Sequence, residues 1–351
     1  MSKRLGICIA GLNGAVASTV VAGLAWLRRG GMPMHGLISE RYRQSHDLAD
    51  WSEVVVGGWD PRTETIWDSA RRHRVLDEAR LLPVAQTLKR IRPMGGAVTA
   101  RVAERHIEQF RRAHGLGPIV VINLTPTGED EASACYAQAA AATGSAFVNF
   151  TPNRCGEEQL QDIPYAGRDG KTGQTWLKSV LAPALRARAL HVAGWYSTNL
   201  LGNEDGRVVG DPIKGRAKIR DKSELLGTML GYEPVHIVQI HYFPPRGDTK
   251  ESWDYVEVEG FLGLPMALRI SAQYRDSILA APMCLDLARF MGWALTQGRK
   301  GPQTWLSLFF KAPYGTKVHE FERQVQMLEA ELARVPSSAC AGRGLTRSLR
   351  R

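Results

Sequence analysis

Four lysines, Lys218, Lys222, Lys250 and Lys311, stand beside Gly, Asp or Pro in polar, loop-like stretches of the chain. Gathered at one pocket, four ammonium groups would hold a phosphate and stabilise a developing oxyanion. Crowded ammonium groups also depress one another's pKa, which lets one of them act as acid or base near neutral pH. Singly, each reads equally well as a solvated surface lysine. A different chemistry is offered by Cys155, just beyond a strand end: a nucleophilic thiolate in one reading, an inert small hydrophobe in the other.

The elements that would position these groups begin at the N-terminus. Leu5 to Ala10 is a short apolar strand, followed by Gly11-Leu12-Asn13-Gly14-Ala15-Val16-Ala17-Ser18-Thr19 and a helical run to Arg29. Strand, glycine turn and helix form a place where backbone N–H groups meet a pyrophosphate, so Gly11, Asn13, Gly14, Ala15 and Val16 are candidate dinucleotide contacts. A plain tight turn is the other reading. A second strand, Val54 to Gly58, ends in Trp59-Asp60, which puts the Asp60 carboxylate where a ribose hydroxyl would bind. A third, Ile119 to Leu124, opens into Thr125-Pro126-Thr127, and a fourth, Ala146 to Phe150, into Thr151-Pro152. Helices are expected over Val75 to Ile91, Ala103 to His114 and Glu131 to Thr143. This alternation predicts an α/β fold with a Rossmann-type doubly wound parallel sheet, its ligands at the carboxyl ends of the strands.

After Ile163 the texture changes. A polar, glycine-punctuated loop over Gly167 to Thr175, holding Asp169 and Thr172, leads into a helix from about Trp176; a second polar loop is Gly202-Asn203-Glu204-Asp205-Gly206. Val235 to Phe243, Trp253 to Phe261 and Met266 to Tyr274 alternate as strands of an antiparallel sheet with one packed face, and Asp276 begins a helix reaching about Thr296. The expected organisation is a Rossmann domain over residues 1–175 and 298–340, an α+β domain over 176–297 and a basic tail over 341–351.

Composition sets outer bounds. With 351 residues, 44% of them hydrophobic, the chain is long enough for two cores. Its net charge of +10 suits a phosphorylated small molecule or a nucleic acid, but the basic residues are scattered and carry no zinc-finger or ribonucleoprotein spacing. The five cysteines form no CxxC pair, and no run of about 18 apolar residues occurs, so a reduced cytoplasmic protein outside the membrane is expected.

Nine segments, in order, then resemble the motifs of one family. Gly11 to Gly23 looks like its GLGGNNGSTLTAG, and Gly57-Gly58-Trp59-Asp60 matches GGWD. Asn149 to Pro152 resembles NGSP, Asp169 to Thr175 resembles DFKSGQT, Gly202 to Gly206 resembles GNNDG and Arg216 to Ser223 resembles RSKEISKS. Gly247 to Lys250 matches GDSK, Asp276 to Pro282 matches DSLLAAP and Phe310 to Pro313 matches FKAP. On these segments the chain is identified as a member of the inositol-3-phosphate synthase (myo-inositol-1-phosphate synthase) family.

The resemblance implies a redox-neutral cyclisation. The family oxidises glucose 6-phosphate at C5 with bound NAD, removes a proton from C6, closes C6 onto C1 in an intramolecular aldol step and returns the hydride. It implies a Rossmann domain joined to a glyceraldehyde-phosphate-dehydrogenase-like α+β domain, and a homo-oligomer, usually a tetramer. Carried over by motif, Lys218, Lys222, Lys250 and Lys311 are active-site lysines and Asp276 their partner carboxylate, although Asp276 also reads as a helix cap. Lys218 and Lys311 are assigned to the C5 oxygen and proton transfer, Lys222 and Lys250 to the phosphate or aldehyde oxygen. Asp169 and Asp205 fall near the nicotinamide and Thr172 and Asn203 are further cofactor contacts, with Asp205 also a candidate ligand for a mono- or divalent cation; its plain alternative is an Asx-type turn. Asn13, Ala17, Phe150, Trp176 and Thr198 depart from the motifs. Phe150 and Trp176 add bulk beside the expected site and open a second substrate, such as fructose 6-phosphate closed to a five-membered ring. A semialdehyde or glyceraldehyde-phosphate dehydrogenase using Cys155, and a basic nucleic-acid-binding protein, are the competing classes.

Overall fold

A computed structural model describes residues 3–96, 99–202 and 225–334. Lys218, Lys222, Asn203, Asp205 and the basic tail lie outside the described residues. The first layer is a parallel sheet in the order β2-β1-β3-β4-β5-β10, built from β1 (Leu5–Ala10), β2 (Val54–Trp59), β3 (Ile119–Asn123), β4 (Ala146–Asn149), β5 (Pro164–Gly167) and β10 (Gly301–Pro302). The central strands are apolar runs rather than alternating ones because both faces are covered. Helices α1 (Ala15–Arg29) and α2 (Ile66–His73) follow β1 and β2, while α5 (Ala100–His114) and α6 (Asp130–Ala142) cover the opposite face.

The helix expected over Val75 to Ile91 is broken into α3 (Glu78–Leu81) and α4 (Ala85–Lys89), joined by a 3-10 turn at Leu82–Val84. Pro83 lacks the N–H that a continuous helix needs; Leu82 keeps helical backbone, and the break falls at Val84, whose φ of −110° and ψ of 4° leave the helical region.

The second layer is a four-stranded sheet in the order β7-β6-β8-β9, from β6 (His191–Leu201), β7 (Val235–Tyr242), β8 (Thr249–Glu259) and β9 (Pro265–Arg275). It is mixed and not purely antiparallel: β6 pairs with β7 in parallel, while β6 with β8 and β8 with β9 run antiparallel. A parallel neighbour needs a crossover, and the chain between β6 and β7 supplies one. Helix α7 (Gly173–Ala187) covers one face, where Ala182 and Leu185 meet Trp195, Val256 and Met229.

Helix α8 (Asp276–Thr296) corrects the expected domain boundary at 297. Its residues Leu285, Leu287, Phe290, Met291 and Trp293 pack in one cluster with Leu5, Ile7 and Val20, inside the core of the parallel sheet. It is the one described helix long and apolar enough to cross a membrane, and 72% of that stretch is buried in the protein, as an all-round apolar helix in a large core must be. The chain from Trp305 returns to the same core, where α9 (Phe321–Ala333) contributes Leu328 and Leu332.

Candidate active site

A cavity of about 1090 Å³ opens between the carboxyl edge of the parallel sheet and the ends of β8, β9 and α8. Its floor at the first sheet is the turn after β1. Gly11 adopts φ +88°, and a Cβ there would stand 2.5 Å from the Leu124 carbonyl oxygen, so only glycine fits. Gly14 precedes α1, whose first turn has no side-chain cap and no acidic residue. Backbone N–H groups of Ala15, Val16 and Ala17 thus precede the first intrahelical bond, Ser18 N–H to the Gly14 carbonyl, at the cavity wall. That edge fits an anion such as a pyrophosphate.

Asn13 and Asp60 do not line the cavity; they tie the turn together from behind. Both are buried. The Asn13 amide donates to the carbonyls of Arg62 (2.8 Å) and Glu64 (3.2 Å). The Asp60 carboxylate accepts from the backbone N–H of Asn13 and of Arg62, each at 2.9 Å. Asp60, expected at the ribose, shapes the loop through these two bonds.

The turns after β3 and β4 are held by a buried amide network that the sequence reading missed. Asn123 and Asn149 are paired in register on adjacent strands. Asn123 Oδ1 accepts from the Thr125 hydroxyl and Asn149 Oδ1 from the Thr151 hydroxyl, both at 2.9 Å. Asn153 then joins the two turns, donating to the Thr125 hydroxyl at 3.1 Å and the Pro126 carbonyl at 2.9 Å. The signal was present: Asn-Leu-Thr-Pro and Asn-Phe-Thr-Pro end successive strands. Thr125, Thr127 and Thr151 line the cavity, with the Thr125 and Thr151 hydroxyls already engaged.

On the side facing these turns, Asp169, Thr172 and Lys311 line the cavity, and the Lys311 ammonium meets Asp169 Oδ1 at 2.8 Å. At the second layer, Asp276 opens α8 and lines the cavity, with the Lys250 ammonium 3.8 Å from its Oδ2. Its other oxygen, Oδ1, is buried without a hydrogen-bond partner among the described residues. Asp248, which sequence reasoning left out although it precedes Lys250 in the matched motif, also lines the cavity. Ser277 Oγ donates to Asp248 Oδ1 at 2.7 Å, Oδ2 has no partner among the described residues, and burial pushes this carboxyl above the ordinary aspartate range. The structure thus brings Lys311, Asp169, Asp276 and Thr172 to one cavity, with Lys250 bonded to its wall.

The glutamine of the Gly173-Gln174-Thr175 segment works behind the site. Gln174 donates to Asp254 at 2.8 Å and accepts from Asn199 at 2.9 Å, while Asp254 also takes the Trp195 indole and Ser197 hydroxyl, so α7 is pinned to the second sheet. Trp176, expected to crowd the site, is 43% exposed, stands edge-on to Phe321 and does not line the cavity. Phe150 does line it. Cys155 does not: it is fully buried, contacts the Tyr314 hydroxyl at 3.5 Å, and burial pushes its thiol up to about 11. Buried and away from the cavity, this thiol gives the dehydrogenase reading no nucleophile at the site.

Comparison with known proteins decides the family. The chain is 33% identical to inositol-3-phosphate synthase 1 of Bacteroides thetaiotaomicron over 92% of its length and 91% of that relative. The chain belongs to the inositol-3-phosphate synthase family. The family model described as myo-inositol-1-phosphate synthase matches residues 173–277, and the human inositol-3-phosphate synthase 1 is 27% identical over 88% of this chain and 74% of that protein. The fold agrees with the inositol-3-phosphate synthase of Caenorhabditis elegans (TM-score 0.83, 20% identity, 94% of this chain and 85% of that one). It agrees too with a myo-inositol-1-phosphate synthase-related protein of Thermotoga maritima (TM-score 0.76, 21% identity, 94% and 99%). Family membership makes this protein an enzyme of sugar-phosphate cyclisation.

Proposed function

We propose that the enzyme converts D-glucose 6-phosphate to 1D-myo-inositol 3-phosphate with a bound nicotinamide dinucleotide. The observation that carries this reading is that Lys311, its partner Asp169 and Asp276, which Lys250 pairs with, line one cavity together with a glycine turn and an uncapped helix N-terminus. Gly11, Gly14, Ala15 and Val16 would hold the dinucleotide's pyrophosphate, and Asp169, Thr127 and Thr172 would lie toward its nicotinamide. Bound there, the cofactor supplies a reversible oxidation of one sugar carbon.

The chain's own residues do the rest. Oxidation at C5 acidifies the C6 proton, and loss of that proton places negative charge on the C5 oxygen; the Lys311 ammonium, oriented by Asp169, is the cation for that charge. The Asp276 and Asp248 carboxyls would accept and return protons, burial holding that of Asp248 above the ordinary aspartate range. Lys250, with Lys218 and Lys222 outside the described residues, is assigned to the phosphate and to the O1 charge that grows as C6 joins C1. Holding C6 against C1 converts ring closure into a positioned intramolecular step. Asp205, also outside the described residues, remains the proposed ligand if a cation takes part.

Phe150 favours a second substrate reading. Its ring lines the cavity where the family motif has glycine, and Gly170 packs so closely on it that an added Cβ would lie 2.2 Å from the ring. A ketose phosphate such as fructose 6-phosphate, closed to a five-membered carbocycle, suits a cavity narrowed at that point. Incubation with a panel of hexose phosphates and NAD or NADP, followed by NMR, tests both. A carbocyclic phosphate with no net reduced cofactor supports cyclisation and identifies the sugar; stoichiometric reduced cofactor overturns it.

The open face of the second sheet supports a homo-oligomer, which the family resemblance puts at a tetramer. Tyr196 lies across from Ile237 on one side and Tyr255 on the other, with Trp253 one step along, and all four are exposed. An apolar row of that kind suits a second copy of the chain. The scattered cysteines, with no CxxC pair, are the ground on which a reducing, cytoplasmic setting is proposed.

A further inference from the structure

We infer that Lys171 is a positioning residue for the proposed reaction: its buried side chain anchors the turn carrying Asp169 to helix α9, and so fixes where the Lys311 ammonium stands in the cavity. This rests on the role proposed for Lys311 above and adds the residue through which that lysine is held.

The turn between β5 and α7 needs holding. Asp169 sits in the left-handed region at φ +62°, which a residue other than glycine keeps only where its surroundings enforce it. Lys311 is one restraint, through its ion pair with Asp169. Lys171, two residues on, is the other. Its backbone N–H donates to the Phe309 carbonyl at 2.8 Å, and its side-chain nitrogen donates to Gln324 Oε1. Both side chains are buried, and neither residue lines the cavity. Gln324 passes the restraint on, since its Nε2 donates to the Val318 carbonyl at 2.6 Å. The chain that runs from Lys311 into α9 is thereby gathered at the same glutamine, and α9 is seated in the parallel-sheet core by Leu328 and Leu332. The Lys311 segment is held from Asp169 on one side and from Gln324 on the other.

Space-filling does not account for a lysine here. A methionine would occupy the same channel without desolvating an amine. No carboxylate pairs with Lys171 among the described residues, and burial pushes its ammonium down to about 7 from an ordinary 10.5. The groups around it are the Phe321 ring, 5.9 Å from Nζ, and His319, whose own pKa is lowered by burial and by the Lys171 charge, with Glu320 beside it acting the other way. Near neutral pH the side chain is thus in part an uncharged amine, which gives the turn a hydrogen-bond donor without adding another fixed cation behind the site. What the amine supplies is the bond to Gln324, an amide too deeply buried to find water in its place.

Lys171→Met and Gln324→Leu, made in the full chain, remove the same hydrogen bond from its two ends. Amide hydrogen exchange, which needs no substrate, is expected to quicken about tenfold over residues 168–172 and 309–314 in both variants, with β1 unchanged. With D-glucose 6-phosphate and NAD as probes, kcat should fall about tenfold while KM stays within about twofold, as for a group that acts on the reacting centre and not on binding. In a Lys311→Met background either variant should cost no more than about twofold further, because a residue acting through Lys311 has nothing left to position. Unchanged exchange in both variants would overturn the inference. So would a tenfold loss that persists in full without the Lys311 ammonium, or faster exchange throughout the chain, β1 included, which would make Lys171 a residue of general stability. Full activity in Lys311→Met alone would overturn the role of Lys311 and this inference with it, and the local exchange result keeps those two failures apart.

Discussion

Lys311 and Asp169 are joined twice: the Lys311 ammonium donates to Asp169 Oδ1 at 2.8 Å, and the Lys311 backbone N–H donates to the Asp169 carbonyl at 2.7 Å. Further backbone bonds between Arg168 and Ala312 extend the pair into a small zipper. The lysine that would meet the reaction's negative charge therefore has its backbone fixed by one partner and its side chain by the same residue.

This separates chemistry from folding in a single substitution. Lys311→Met leaves the backbone zipper in place, so thermal stability should change little, while kcat for cyclisation falls about 10²–10³-fold, the usual loss for one positioned charge donor. Asp169→Asn should give a smaller loss with the ammonium less well held. Product formation by NMR together with a melting curve reads both; a folded, fully active Lys311→Met removes the residue from the site.

Gly11→Ala should abolish dinucleotide binding. The new Cβ meets the Leu124 carbonyl at 2.5 Å in a conformation with φ +88°, a strain of about 1–3 kcal/mol that the turn relieves only by moving the N–H groups of α1. Tryptophan fluorescence titration would show it. Unaltered affinity would place the cofactor elsewhere.

Cys155→Ala should keep kcat and lower stability by about 1 kcal/mol, the typical cost of a small core truncation. Steady-state turnover and a denaturant melt measure the two effects. Loss of turnover in a folded variant would return the thiol to the mechanism.

Lys178 gives a pH signature. Burial pushes its ammonium down to about 8 from an ordinary 10.5; its Nζ sits 2.8 Å from His236 Nε2 and over the Trp195 ring. The folded pKa is depressed, so between pH 8 and 10.5 the unfolded chain binds more protons than the folded one. This group's contribution to stability is complete above 10.5 and is lost as pH falls toward 8. Urea melts across that range should show stability rising with pH in the parent and a flatter profile in Lys178→Met; parallel profiles would contradict the assignment.

Ile237→Glu, with Tyr255→Glu as a second variant, should lower the mass seen by light scattering without changing the melting of the parallel-sheet core. Charges directly across β6 from each other and facing a second copy are costly to bury. An unchanged mass would free this face from the assembly.

Much of this was legible in residues whose local requirements are strict. Gly11 and Gly14 declare a turn that no side chain fits, and the apolar runs Leu5–Ala10 and Val54–Trp59 declare strands covered on both faces. Less legible was what depends on distant partners. Asp60 stands where a ribose contact is expected, and only the folded chain shows the Asn13 and Arg62 N–H groups that occupy it. The parallel pairing of β6 and β7 depends on a crossover that alternation within either strand does not encode. Asp276–Thr296 reads as a helix in sequence, but its apolar surface runs all round, so periodicity gives no direction for its burial. Trp176 shows the limit of motif alignment: it is expected to add bulk beside the site, yet its side chain lies against Phe321 and away from the cavity.

Helix α8 begins with Asp276 on the cavity and continues through Leu285, Phe290 and Trp293 in the parallel-sheet core. It works as a ruler between the two layers, its 1.5 Å rise per residue setting how far the carboxylate stands from the glycine turn. Substitutions deep in the core, far from any substrate, would therefore be felt as a change in the reach of Asp276 at the cavity.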